Sequence, residues 1–354
     1  MRCFVLVARS LFLAILPVTA APFYSVTALP LGAFGLGPTG SGLSGNGKVT
    51  GSINGRGFLW QGGPLIDLGT LGGNQSPGFS VNSLGQVTGW SYTAGNANQN
   101  AYLYTSGVMS DLSPLVGSSS TGSGINDSGV VVGSLATGPN QTHAFRIAGG
   151  VATDLGALGG LNSRATAVSP SGLITGSADT AAFNTVAYLY SAGSGMVSIG
   201  SLGGVFASGQ AVNDAGQVAG YSYTTGSTAT HAFLFTGGTM HDLQTLGGVN
   251  SSAAGLNSAG WVVGEADVVG GAQHAFLYVN GTMFDLNSLL SSAPGITLFN
   301  AIQINDSGLI LANGTDGVTN RAFLLTPVPE PATLLLLLGG LGLCASARKK
   351  RAVN

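Results

Sequence analysis

Charge is the first thing missing. The 354-residue chain holds 11 Lys+Arg and 13 Asp+Glu, so charged residues make up 7%. An average soluble domain carries roughly 25%. Hydrophobic residues nevertheless reach 44%, which excludes a highly charged disordered polymer. Glu/Lys pairs are nearly absent and Gly is abundant at 59 residues, which excludes a coiled coil. Cysteine is almost missing too. Cys3 and Cys344 are the only two, one in each terminal segment, so no disulfide framework holds the body. That suits export to an oxidising compartment.

Basic residues are scarcer still once the ends are set aside. Arg2 and Arg9 lie at the N-terminus, and Arg348, Lys349, Lys350 and Arg351 at the C-terminus. The body keeps five, Lys48, Arg56, Arg146, Arg164 and Arg321, against twelve acids, a net charge of −7. A weakly acidic body has no basic patch for nucleic acid.

Both ends read as addresses. Residues 1–21 have the parts of a secretory signal: Arg2 and Arg9, the apolar run from Leu11 to Leu16, then small residues offering cleavage by signal peptidase after Ala20 or Ala21. A buried first strand is the competing reading, and Pro17 fits a signal better. At the other end, Pro329-Glu330-Pro331 precedes sixteen uncharged residues, 332–347, and then Arg348-Lys349-Lys350-Arg351. As a helix those sixteen span about 24 Å. That is short for a hydrocarbon core of about 30 Å, and snorkelling Arg and Lys can cover the mismatch. The basic end stays cytoplasmic by the positive-inside rule, which leaves the body outside.

This three-part tail, residues 328–354, resembles the PEP-CTERM sorting signal of bacterial surface proteins. The resemblance implies that a membrane protease, exosortase, recognises the Pro-Glu-Pro region and removes the helix, in bacteria that make extracellular polysaccharide. A permanent single-span anchor is the alternative.

Residues 22–327 repeat. Asp67-Leu68-Gly69-Thr70-Leu71-Gly72-Gly73 returns at Asp154 and Asp242, with weaker copies at Asp111, Ser198 and Asp285, always 43 or 44 residues apart. Between copies the order is constant: an Asn-x-x-Gly turn, an apolar run ending in Gly, a variable loop, and a His-Ala-Phe or Ala-Tyr-Leu strand. Short runs rich in Val, Ile, Phe and Tyr between frequent turns predict four strands per unit. No stretch holds a 3.6-residue apolar period over three turns, so helix should be scarce. Four strands in about 44 residues fit a propeller blade.

Seven turns end at Gly47, Gly85, Gly129, Gly172, Gly216, Gly260 and Gly308, and seven aromatic strands centre on Phe58, Tyr102, Phe145, Tyr188, Phe233, Phe276 and Phe323. The Asp-Leu strand occurs six times. Tyr24–Leu29 aligns with it and can supply the seventh. The expected fold is therefore all-β, a seven-bladed β-propeller of four-stranded blades closed by the N-terminal strand. These repeats resemble the HAF-type extracellular repeat family, literally at His143-Ala144-Phe145, His231-Ala232-Phe233 and His274-Ala275-Phe276. That resemblance implies fold and location and no defined activity.

Candidate chemistry reads as structural. His143, His231 and His274 share one repeat position, but Asn100, Val186 and Arg321 occupy it elsewhere, so a hydrogen-bonding role fits better than a metal ring. His241 stands alone as a solvated turn residue. Asp67, Asp111, Asp154, Asp242 and Asp285 recur once per unit, where they should cap backbone N–H groups rather than form a catalytic pair. The turns at Asn126, Asn213 and Asn305 resemble sialidase Asp-boxes, but the aromatic that should follow is missing and no arginine triad exists. With one acid per turn, Ca²⁺ would be held weakly. No catalytic residue, metal ligand or cofactor is assigned, and no ligand residue can be named. The expectation is an exported, exosortase-sorted, non-enzymatic surface or matrix protein that is structural or binds exopolysaccharide or another matrix component. The alternative is a secreted polysaccharide hydrolase or lyase with its site at the propeller mouth.

Overall fold

The computed structural model describes residues 21–30, 37 and 39–328. Most of the signal sequence, Pro329-Glu330-Pro331 and the tail helix with its basic end lie outside the described residues. Among those described no helix is long and apolar enough to cross a membrane. The protein is all-β. Its helices are one four-residue α-helix, Ser113–Val116, and three 3₁₀ turns among the described residues.

The strands form five four-stranded antiparallel sheets and one eight-stranded sheet. In the larger sheet two further quartets, 159–200 and 203–242, meet through a single parallel bridge between Thr185 and Phe206. The quartet Gly203–Val212, Val218–Thr224, Thr230–Thr236 and Thr239–Asp242 shows the common pattern. Its first two strands meet at an Asn-x-x-Gly turn, in which the Gly216 N–H donates to the Asn213 carbonyl at 3.1 Å and Gly216 has φ +73°. All seven such turns close the same way, from Ser44–Gly47 to Asn305–Gly308.

The core repeats with the sheets. Phe233 stands opposite Gly220 on the neighbouring strand and is fully buried, as are Tyr102, Phe145, Tyr188, Phe276 and Phe323 at the same place. Gly220 is required there, since a Cβ would run into the Ser208 carbonyl oxygen and crowd the Phe233 ring. Burial pushes the Tyr102 and Tyr188 phenols well above their ordinary range.

The N-terminal strand Phe23–Ala28 pairs antiparallel with Asn320–Val328, across some 300 residues. The Leu29 N–H donates to the Ala322 carbonyl, just as Leu68, Leu112, Leu155 and Leu243 donate to Gly57, Ala101, Ala144 and Ala232. Ala28-Leu29 thus takes the place of an Asp-Leu pair. Within this pairing Val26 lies opposite Leu325, and the strand's buried anchors are Tyr24 and Leu29, with Val26 only partly buried. The last strand also runs through Val328, so the folded body extends one residue past 327.

Candidate functional site

Every quartet has a register break in its first strand. One residue is skipped between Gly40 and Gly42, and likewise in the other six. The residues skipped are Ser41, Phe79, Ser123, Thr166, Gln210, Ala254 and Ile302. A bulge leaves one residue unpaired and re-aims it. All seven line one cavity of about 440 Å³, so the bulges converge on a common space. Nothing in the sequence reading pointed to them. The usable signal is a small-x-small triplet just before six of the seven turns, such as Gly122-Ser123-Gly124; the last has Ala301-Ile302-Gln303.

At one end of this cavity the turns interlock. The Asn82 amide donates to the Asn126 carbonyl at 3.0 Å, Asn126 to the Ser169 carbonyl at 2.9 Å, and Asn213 to the Asn257 carbonyl at 3.0 Å. Asn257 reaches the Asn305 carbonyl at 3.4 Å, and Asn305 reaches Gly45 at 3.1 Å and Ser44 at 3.3 Å. These asparagines are buried at 2–8% exposure, so each amide serves a carbonyl that water cannot reach well. The adjoining acids do a parallel job. Asp127, Asp214 and Asp306 accept from the backbone N–H of Ser83, Ser171 and Ser258 in the preceding quartet, at 2.7, 2.9 and 2.8 Å. For Asp214, desolvation pushes the carboxyl up, but hydrogen bonds from Ser169 and Ser171 outweigh it and hold the group below its ordinary value. The turn acids are mortar between quartets.

The recurrent histidines and the acids of the Asp-Leu strands meet in pairs eleven residues apart. His143, His231 and His274 approach Asp154, Asp242 and Asp285 through Nδ1 at 2.9, 2.8 and 2.7 Å. Each of those acids also caps the backbone two residues on, at Gly156, Gln244 and Asn287. Arg56 with Asp67 and Asn100 with Asp111 complete the series, at 2.9 Å each. Sequence reasoning placed Asn100 in the His position but missed Arg56 and the donor–acid pairing; co-variation at the i, i+11 spacing could have found it. The fourth quartet lacks both partners, with Val186 and Ser198 in their places. In the last, the Arg321 guanidinium donates to the Leu29 carbonyl and contacts Asp316 at 3.3 Å. Among the described residues no three His, Cys, Asp or Glu side chains gather to hold a metal.

A pairing role has a testable signature. Replacing His231 by Asn, which reproduces the Asn100–Asp111 pair, should leave stability within about 0.5 kcal/mol. Replacing it by Ala should cost about 1 kcal/mol. Urea unfolding of the two variants reads the difference, and equal losses would contradict the pairing.

A second cavity of about 510 Å³ lies between the quartets 203–242 and 247–285. It is lined by Tyr221 and Thr230 on one side and by Asn250, Glu265, Asp267 and Gln273 on the other. Tyr221 stacks on Phe206 with ring centres 5.8 Å apart at 22°, and Tyr223 lies 5.6 Å from the same ring. Desolvation pushes the Glu265 carboxyl up, partly relieved by a hydrogen bond with Asn300 and reinforced by Asp267.

Comparisons with known proteins bear on the tail and on the fold. No curated protein matches the chain. The extracellular domain of a protein described as a hybrid two component system from B. thetaiotaomicron superposes with TM-score 0.50 at 12% identity, covering 88% of this chain and 40% of that one. TolB from Acinetobacter baumannii aligns with TM-score 0.46 at 12% identity, over 80% of this chain and 63% of that one. A gluconolactonase from Xanthomonas campestris aligns with TM-score 0.43 at 11% identity, over 87% and 91%. The first of these likenesses concerns the fold alone, and the chain's own strands make an all-β set of four-stranded sheets, two of them joined into one of eight strands. Residues 327–351 match the PEP-CTERM protein-sorting motif. The chain thus carries the tail of an exported protein that exosortase processes for the surface or the extracellular space.

Proposed function

We propose that this chain is a surface or matrix protein whose body is a closed seven-bladed β-propeller of HAF-type repeats, acting by structure or by binding rather than by catalysis. The observation that carries the non-catalytic reading is the employment of the recurrent acids. Asp67, Asp111, Asp154, Asp242 and Asp285 each hold a backbone N–H and a side-chain donor, which leaves no recurrent carboxylate poised as an acid or base.

Ring closure is supported from three directions. The N-terminal strand pairs with the last one. Asn305 bridges the last turn to the first. All seven bulged residues share one cavity. In this reading residues 1–20 are the cleaved signal, 21–328 the propeller, and the remaining tail the sorting signal. Ala21 is buried beside Tyr24, which favours cleavage after Ala20 so that Ala21 stays with the body.

Sorting tests the exported half of the proposal. Glu330→Ala, or deletion of Arg348 to Arg351, should leave full-length precursor in the inner membrane, as immunoblots of fractionated cells would show. Wild-type release of both variants would remove exosortase from the account. Mixing the chain with the producing cells' own polysaccharide tests the other half: new reducing ends would reveal a hydrolase.

A further inference from the structure

The repeat itself shows where its own rules stop. In the second strand of each quartet the residue one past the central Gly (Ala312 in the last) varies: Ser52, Trp90, Ser134, Ser177, Tyr221, Glu265 and Asn313. Two residues further on, Tyr223 and Asp267 follow Tyr221 and Glu265. The cavity between these two quartets therefore joins an aromatic group to a pair of acids, a combination the consensus does not require for folding.

We propose that this cavity is a binding subsite for one unit of a neutral saccharide chain; the inference rests on the binding branch of the function proposed above. The volume, about 510 Å³, is enough for a hexopyranose ring. Pyranose rings pair an apolar face of C–H bonds with a rim of hydroxyls, and the lining offers both partners. Tyr221, braced by Phe206, supplies the aromatic element. Glu265 and Asp267 supply acceptors, while Asn250 and Gln273 supply amide donors and acceptors.

The acids are not idle charges awaiting a cation. The Asn250 amide already donates to Asp267 at 3.0 Å, and Asn300 bonds Glu265, so both carboxylates are oriented acceptors with capacity left for hydroxyl donors. Two carboxylates with an aromatic wall also make a poor seat for a hard divalent ion, which takes six or more oxygens. The lining contains neither Lys nor Arg, so a uronate or sulfated sugar would bring unpaired negative charge against Glu265 and Asp267. Neutral chains are the class this chemistry admits.

Calorimetric titration of the full chain in detergent tests this with four probes: cellotetraose, chitotetraose, tetragalacturonate and tetralysine. At least one neutral tetrasaccharide should bind, and tetragalacturonate should not. Tyr221→Ala should weaken binding by roughly tenfold, about 1.4 kcal/mol, and Tyr221→Phe should keep it within about threefold. If Tyr221→Ala melts early, Gln273→Ala on the exposed rim should weaken the same titration. Failure of both neutral probes overturns the subsite, as does preference for tetralysine. If a neutral sugar binds but ignores both substitutions, the subsite is wrong while saccharide binding by the protein stands.

Discussion

Deleting residues 22–30 should lower stability by several kcal/mol, a large share of the roughly 5–15 kcal/mol of a typical domain. Six residues of this strand pair with the last strand of the body, from Phe23 opposite Val328 to Ala28 opposite Phe323. At about 1 kcal/mol net per backbone hydrogen bond, the ladder alone contributes several kcal/mol. Tyr24 and Leu29 are 0% and 1% exposed, and burying side chains of this size is worth about 2 kcal/mol each. Lost chain-ordering cost offsets part of this sum. The Tyr24 hydroxyl is buried without a partner among the described residues, so Tyr24→Phe should hold stability while Tyr24→Ala should not. A control is needed outside the ladder. The stretch Gly95–Asn100 would be a poor one, because Gln99 and Asn100 belong to the strand Gln99–Thr105. Shortening the exposed turn Thr225–Thr228 to Asn-Gly suits better, and should cost far less. A disulfide placed at positions 26 and 325, which face each other in register, should form. Equal losses from deletion and control, or no cross-link, would reject closure by this strand.

Much of this strand was readable in advance because its evidence is periodic. A missing seventh Asp-Leu strand and an unassigned apolar segment at the other end of the body are visible by counting. Its exact register was not, because strand period is two residues and the anchor can be either alternate side chain. Only the neighbouring sheet decides that Tyr24 faces in and Val26 less so. The turns were legible for the same reason: Asn and Gly at fixed offsets have one cheap backbone solution. What the asparagines do beyond their own turn was not legible. Their amides reach carbonyls 43 to 48 residues away, and no local rule encodes that reach. The bulges escaped for a related reason: the skipped residues, from Ser41 and Phe79 to Gln210 and Ile302, share no type, and only their mostly small flanks recur. As for the cavity at Tyr221, repeat comparison marks its residues as exceptions, but their meeting depends on how two quartets pack.

Asn305 is where these interlocking turns give the second large effect. Its side-chain oxygen accepts from the N–H groups of Ser307 at 3.1 Å and Leu309 at 3.0 Å, which shapes its own turn. Its amide donates to Ser44 and Gly45, joining the last quartet to the first. Asn305→Ala should strand buried groups at both places and cost about 3 kcal/mol, at roughly 1–3 kcal/mol for each unsatisfied site. Asn305→Ser should cost about half as much. The protein itself shows why, since Ser44 and Ser169 occupy the equivalent positions and serve their own turns through Lys48 N–H at 2.8 Å and Leu173 N–H at 3.2 Å. A serine hydroxyl is too short to reach the next quartet as well, and the first quartet makes its link through Asn46 to the Ser83 carbonyl instead. Asn305→Asp separates the two jobs: it keeps the acceptor and loses the donor, with a carboxylate set against the Ser44 and Gly45 carbonyls. It should therefore be at least as damaging as the alanine variant at neutral pH and should recover as the new carboxyl is protonated. The sign follows from linkage: a carboxyl raised by burial in the folded state binds its proton more tightly there, so stability rises as pH falls through its folded value. Urea midpoints measured between pH 4 and 7 would show this slope in Asn305→Asp and not in Asn305→Ala. Identical slopes would mean that the amide does not tie the last turn to the first.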